Sequence, residues 1–188
     1  MSDSLSAPES QSLPTLGQDL IRTVPNDSNT DEQFLRLHLV DTPVLLPITQ
    51  LTEVLTIPMG QIVPISHMPA WVMGVYNWRG EVLWMIDLGH LCGLAPWYEQ
   101  IAVSAYSAVV LQIRTSKTTS TAKTQTLGLV VSQIGEMEWC NPSVIQRLPT
   151  SMTPEMAPFL RGYWWNEEDN DMLAILDGQT IFQAVSRL

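Results

Sequence analysis

Apolar residues in this chain come mostly in short runs punctuated by Pro, Gly, Asn and Asp, the pattern of short strands joined by tight turns. Phe34, Leu35, Leu37, Leu39 and Val40 mark a first strand, with Arg36 and His38 alternating outwards, and the folded part begins near Phe34. A turn at Asp41-Thr-Pro43 leads to a second strand over residues 44–48, with Pro47 near its end, where a missing N–H is tolerated. A brief helical turn over 48–51 precedes a third strand to Ile57, with Leu51, Glu53, Leu55 and Ile57 on one face. After a Pro-punctuated connector over 62–69, residues 71–87 read as strand, turn and strand. Asp87 then caps one or two helical turns that Gly93 stops, and residues 94–100 form a loop that covers the core with Trp97 and Tyr98. Further strands are expected at 107–113, 126–132, 135–139, 158–165 and 172–176. A long solvated loop is expected over 114–125, and irregular chain over 145–154. Asp177 caps a terminal helix through Arg187, whose apolar face holds Ile181, Phe182 and Val185.

The segment WVMGVYNWRGEVLWMIDL, residues 71–88, is the most informative. Apolar side chains fall on both faces of its second strand, since Val82, Trp84 and Ile86 alternate with Leu83, Met85 and Asp87, which places that strand inside a sheet. Asn77 and Gly80 supply the positive φ that a tight connection needs, which sets Trp78 and Arg79 at a loop tip. An aromatic and a guanidinium on a rigid tip suit the gripping of another protein. LWMIDL (83–88) and MLAILD (172–177) echo one another as buried strands ending in an Asp-capped helix. With many short strands, that echo favours a mainly β fold of two small barrels packed together.

Composition narrows the functions. Of 188 residues 45% are apolar and 15% charged, ample for burial, and the net charge of −10 disfavours nucleic acid and anionic membrane as partners. Residues 1–32 differ: Asp3, Glu9, Asp19, Asp27, Asp31 and Glu32 oppose only Arg22 among Ser, Pro, Gln and Asn, so they read as a disordered acidic tail. Gly17 to Arg22 could form a short helix on a partner. No apolar run approaches the ~20 residues of a membrane helix, and no basic start precedes an apolar block as in a signal peptide, so a cytoplasmic chain without membrane insertion is expected. Cys92 and Cys140 lie far apart without a CxxC and read as buried free thiols.

No catalytic, metal or cofactor pattern emerges. His38, His67 and His90 form no HExxH and join no zinc spacing, and there is no GxSxG, GxxxxGK[ST] or GxGxxG. Glu136 and Glu138 share one strand face, read as a solvated one, and the acidic run 167–171 lacks the alternating calcium-loop ligands, so it reads as a solvated hairpin tip. Trp71, Trp84 and Trp139 read as core, while Trp164 and Trp165 must face opposite sides, leaving one as an interface candidate.

From Phe34 onward the chain resembles the CheW-like family of chemotaxis coupling proteins. The likeness rests on PAWVMGVYNWRGEVLWMIDL (69–88), supported by LPITQLTEVL (46–55), LGLVV (127–131) and the strand–Asp–helix ending. It implies one CheW-like domain over residues 33–188, built as two intertwined five-stranded SH3-like β-barrels around a continuous core, without catalysis. It implies an adaptor that joins the cytoplasmic tips of methyl-accepting chemoreceptors to the regulatory domain of a CheA-type histidine kinase in receptor arrays of bacteria. Arg79 matches the family's loop Arg and Gly74 its preceding Gly; Ile48, Leu51 and Glu53 match its receptor-facing segment. These five and Trp78 are the candidate partner-binding residues, four of them with a rival reading: Arg79 bridges backbone carbonyls or pairs with Glu53 inside its own domain, Ile48 and Leu51 are core, and Trp78 is anchor or lid. Three departures are Trp84 in place of a common Pro, Ser132 in place of a frequent Asp, and the long 114–125 loop. They suggest a divergent paralogue serving surface or pilus-driven motility. Exposed barrel edges would permit weak self-association. The alternative is a regulatory module that binds a small molecule in a Trp- and Met-lined groove between the barrels.

Overall fold

The computed structural model describes residues 31–99, 104–115, 123–147, 153–167 and 169–187. The strands in chain order are β1 (Glu32–Leu39), β2 (Thr42–Pro47), β3 (Leu51–Pro58), β4 (Val72–Trp78), β5 (Glu81–Asp87), β6 (Ala105–Thr115), β7 (Lys123–Val131), β8 (Gln133–Cys140), β9 (Leu160–Asn166) and β10 (Asp171–Leu176). Two α-helices, α1 (Leu88–Leu91) and α2 (Gly178–Val185), follow β5 and β10. The acidic tail expected over 1–32 lies outside the described residues except for its last two, and Glu32 already belongs to β1, paired with Cys140 of β8.

The strands form two five-stranded sheets, ordered β8-β1-β2-β10-β9 and β3-β6-β7-β5-β4. The chain therefore begins in the first sheet, builds all of the second and returns to finish the first. Each sheet holds the same plan: a hairpin (β1–β2 or β6–β7) with the second strand of another hairpin (β10 or β5) lying parallel beside it. The echo between residues 83–88 and 172–177 is the trace of this repeat, because β5 and β10 occupy equivalent places and each runs into a helix capped by Asp87 or Asp177.

Burial on both faces of the inner strands gives three cores. Between the sheets lies the largest, shared by Leu37, Leu46, Ile86, Leu111, Leu129 and Leu176, with Ile181 and Val185 of α2 against it. The opposite faces enclose smaller cores of their own: Ile57, Leu83, Met85 and Val110 in the second sheet, Phe34, Leu45, Leu173 and Ile175 in the first. Alternation along one strand feeds both, as with Leu173 and Ile175 on one side of β10, Ala174 and Leu176 on the other. The two sheets are also stitched by Ser132, whose N–H donates to the His38 carbonyl at 2.9 Å and whose hydroxyl accepts from the Val40 N–H at 2.8 Å. Serine at that position still makes a polar contact, to a Val40 whose φ of 59° belongs to the two-residue turn between β1 and β2.

Three expectations need correction. The loop expected over 114–125 is partly strand: Arg114 pairs with Thr124 and Ile113 with Gln125, so the hairpin continues until residues 116–122, which lie outside the described residues. Solvated strands pair as well as buried ones, and polarity alone does not end them. Trp139 is not core but 60% exposed. It lies on β8, an edge strand in which Cys140 and Glu138 turn inward and Met137 and Trp139 outward. Tyr98 is also exposed, whereas Trp97 packs edge-on against Tyr106, with ring centroids 5.3 Å apart, and covers the second sheet's own core.

Both cysteines are free and buried, as expected. Burial, helped by the Asp87 carboxylate, pushes the Cys92 thiol up to about 12. Burial pushes Cys140 to about 11, opposed by Arg161 and aided by Glu32 and Asp31. A thiol held protonated by the fold costs nothing while the unfolded chain also keeps it protonated. Stability is therefore expected to be unaffected by these groups below the ordinary thiol value of 9.0 and to fall as pH rises above it toward 11 and 12. Urea midpoints of wild type and Cys92→Ala across that window check this; parallel curves would refute it for Cys92.

Candidate functional site

β4 and β5 form a tight hairpin that carries the candidate side chains. The tip is Arg79-Gly80 alone: φ is 55° at Arg79 and 85° at Gly80, both positive, as a two-residue hairpin turn of matching twist requires. Trp78 is not on the tip, as the sequence suggested, but pairs with Glu81 as the last residue of β4. Asn77 shapes the turn by its side chain and not by its own φ: its Oδ1 accepts from the Gly80 N–H at 3.0 Å. Arginine at a left-handed position carries a backbone cost of about 1 kcal/mol that glycine or asparagine would avoid.

Glu53, on β3, meets this hairpin from the far edge of the same sheet. Its Oε2 accepts from Trp78 Nε1 at 2.9 Å and sits 2.8 Å from an Arg79 guanidinium nitrogen. The guanidinium lies 5.1 Å from the Trp78 ring centroid, a cation–π arrangement. β3 and β4 are the two edges of the second sheet, so this cluster joins edge to edge and curls the sheet into a barrel. Trp78, half-buried on the sheet's own core, is the fixed member. Arg79 is the presented one, with its side chain 66% exposed against 30% for Glu53. The structural and the presented readings of Arg79 therefore coexist in one geometry.

The first sheet closes similarly. One Arg36 nitrogen on β1 lies 2.8 Å from Glu138 of β8 and 2.6 Å from Asp169 of the β9–β10 turn. Glu138 and Asp169, both read from sequence as solvated, thus clamp Arg36, while Glu136 is exposed as read. The signal that could have found them is an Arg set between Leu35 and Leu37 in the first strand.

Gly74 is buried, with φ at 138°, and a Cβ there would run into the Val63 carbonyl. The connector after β3 crosses back there, with Val63 and Val75 exchanging N–H···O bonds of 2.8 and 2.9 Å. Gly162 in β9 plays the same part beneath Gln146, which pairs with Tyr163. Gly74 thus supplies space for the chain and offers a partner no side chain. Ile48 opens the short helical turn before β3 and Leu51 follows it; both are half-buried, and Leu51 packs against the inter-sheet core. The structure thus brings Glu53, Trp78 and Arg79 together and leaves Ile48, Leu51 and Gly74 outside that cluster.

A groove of about 740 Å³ runs between the second sheet and α2, lined by Met68, Val82 and Trp84 on one side and by Phe182 and Val185 of α2 on the other. Val82 is 70% exposed there, although Leu83 beside it in β5 is core. Trp84 is half-buried, one flank on the inter-sheet core and one in the groove.

Residues 33–186 match the model of the CheW-like domain. The chain belongs to that family. Its fold is similar to the crystal structure of the scaffolding protein CheW from Thermoanaerobacter tengcongensis, at 20% identity and a TM-score of 0.63, covering 78% of this chain and 89% of that one. No curated protein sequence matches it. The CheW-like fold accounts for the paired sheets, and no helix among the described residues is long and apolar enough to cross a membrane.

Proposed function

We propose that this CheW-like protein is a non-catalytic adaptor coupling chemoreceptor tips to a CheA-type histidine kinase, in chemotaxis or pilus- and surface-motility signalling. The observation that carries the reading is the hairpin tip: a two-thirds exposed arginine held in a left-handed turn by Glu53 and Trp78. Such a group is positioned before any partner arrives, so little freedom is lost on docking. The groove beside it, with Val82, Trp84 and Phe182, has the apolar stripe that suits an amphipathic helix. The second reading, a regulatory small-molecule site, draws on the same Trp- and Met-lined groove.

Arg79→Ala is expected to cost less than about 1 kcal/mol of stability, because its ion pair is exposed. It should also weaken binding about tenfold or more, as loss of an anchor does. Glu53→Ala should destabilise more, by roughly 1–2 kcal/mol, because the half-buried Trp78 Nε1–H loses its acceptor. Urea denaturation and titration against a receptor hairpin fragment and a kinase regulatory domain measure both effects. Unchanged affinity of folded Arg79→Ala for both partners would remove Arg79 from the interface. Binding to neither by wild type, together with saturable small-molecule binding, would favour the second reading.

A further inference from the structure

The first sheet carries a second surface that the adaptor reading does not use. Met137 and Trp139 of β8 are 61% and 60% exposed, and Trp165 of β9 is 46% exposed. With Val144 and Trp164 they line one groove of about 690 Å³ across the mouth of that sheet. The internal repeat shows that the fold does not require this. Trp139 directly precedes Cys140, the buried end of its edge strand, and Thr56 directly precedes the buried Ile57 of β3. Trp165 stands three residues after Gly162, as Asn77 stands three after Gly74. The second sheet thus places threonine and asparagine where the first places two tryptophans. A pair of exposed indoles at such positions marks a surface made to be covered.

The occupant is indicated by where the chain enters the fold. β1 starts at Glu32, paired with Cys140, and its next residue, Gln33, is paired with Trp139. Residues 1–30 are therefore tethered beside the patch. Apart from Met1, Leu5 and Ala7, their apolar residues gather in one stretch, Leu13, Leu16, Leu20, Ile21 and Val24, whose only charges are Asp19 and Arg22; Asp3, Glu9 and Asp27 lie outside it. That near-neutral stretch is the part of the segment least repelled by Glu167, which is exposed at the rim of the groove. The seven residues from 25 to 31 span up to about 23 Å when extended, enough to cross several strands spaced about 4.8 Å apart. Tethering supplies an effective concentration of the order of millimolar, so a modest apolar contact suffices.

We propose that residues 13–24 dock in cis on this face, laying Leu20 and Ile21 across Trp139 and Trp165 with Arg22 toward the acidic rim. The N-terminal segment then acts as a built-in cover, and any partner of the first sheet must displace it. The test compares the full chain with one lacking residues 1–29, which keeps every strand. Of the seven indole N–H signals, those of Trp139 and Trp165 should shift on truncation while Trp71, Trp78 and Trp97 stay, and tryptophan emission should move to the red. Leu20→Ser with Ile21→Ser in the full chain should reproduce the shift, and a synthetic peptide of residues 1–29 should reverse it in the truncated chain. Indole signals that are the same with and without the segment would overturn the proposal. So would signals that depend on protein concentration equally in both chains, since a second copy would then be the occupant.

Discussion

Replacing Gly74 with alanine is expected to destabilise the fold by about 3 kcal/mol or more, against about 1 kcal/mol for the same change at Gly80. The two positions share one burden and differ in another. Both have positive φ, 138° and 85°, which a side chain resists. At Gly80 a new Cβ meets nothing within 4 Å, so the backbone cost stands alone. At Gly74 the Cβ collides with the Val63 carbonyl and approaches the Pro64 Cα at 2.9 Å, both backbone atoms that no rotamer change can move. The connector would have to lift, and with it the two hydrogen bonds between Val63 and Val75. Gly162 isolates the second burden, because its φ is not positive while its Cβ would lie 2.6 Å from Ile145 Cγ2 and 2.8 Å from the Gln146 carbonyl. Gly162→Ala should fall between the other two, at roughly 1–3 kcal/mol. Urea unfolding followed by tryptophan emission gives the three values; equal losses at Gly74 and Gly80 would mean that the crossing connector bears no load.

These glycines mark the limit of what the sequence shows. Strand positions, the two aspartate caps and the hairpin at 77–80 were legible because each depends on neighbours in the chain: alternation, a capping side chain, a turn residue. Gly162 was not, since its requirement comes from Gln146, which reaches it only through a tertiary bridge. Trp139 failed for a related reason. The stretch Glu136-Met-Glu-Trp139 fits either face inward, and only the Arg36 guanidinium, supplied from β1, decides that Glu138 turns in and the aromatic turns out. An inward charge on an edge strand also limits its pairing with other chains. Within the candidate site the Arg79 tip was legible as a motif. Its link to Glu53 was only one of two readings, because whether β3 and β4 meet depends on how far the sheet curls.

The other large effect is expected at Asp87. This carboxylate is 3% exposed and holds two backbone groups: Oδ1 accepts from the His90 N–H at 3.0 Å, and Oδ2 from the Trp97 N–H at 2.8 Å. The first caps α1; the second pins the loop that places Trp97 on Tyr106. Asp87→Ala removes both acceptors and should cost about 3 kcal/mol, from a lost cap of about 1 kcal/mol and a buried N–H left without a partner. The carboxylate of Asp177, its counterpart in the repeat, accepts from the Gln179 N–H at 2.8 Å, caps one helix end and is half-buried, so Asp177→Ala should cost about 1 kcal/mol. Asp87→Asn keeps one oxygen and should lie between. A second readout separates these causes from a general loosening. The Asp87 charge helps to hold the Cys92 thiol protonated, so without it that thiol moves back toward the ordinary value, although burial keeps it raised. Alkylation of Cys92 in folded Asp87→Asn should therefore be faster than in wild type, while Cys140, buried against Arg161 and Glu32 in the other sheet, should react at its original rate. Equal acceleration at both cysteines would instead mean that the substitution acts through global unfolding, and the carboxylate's local role would be lost.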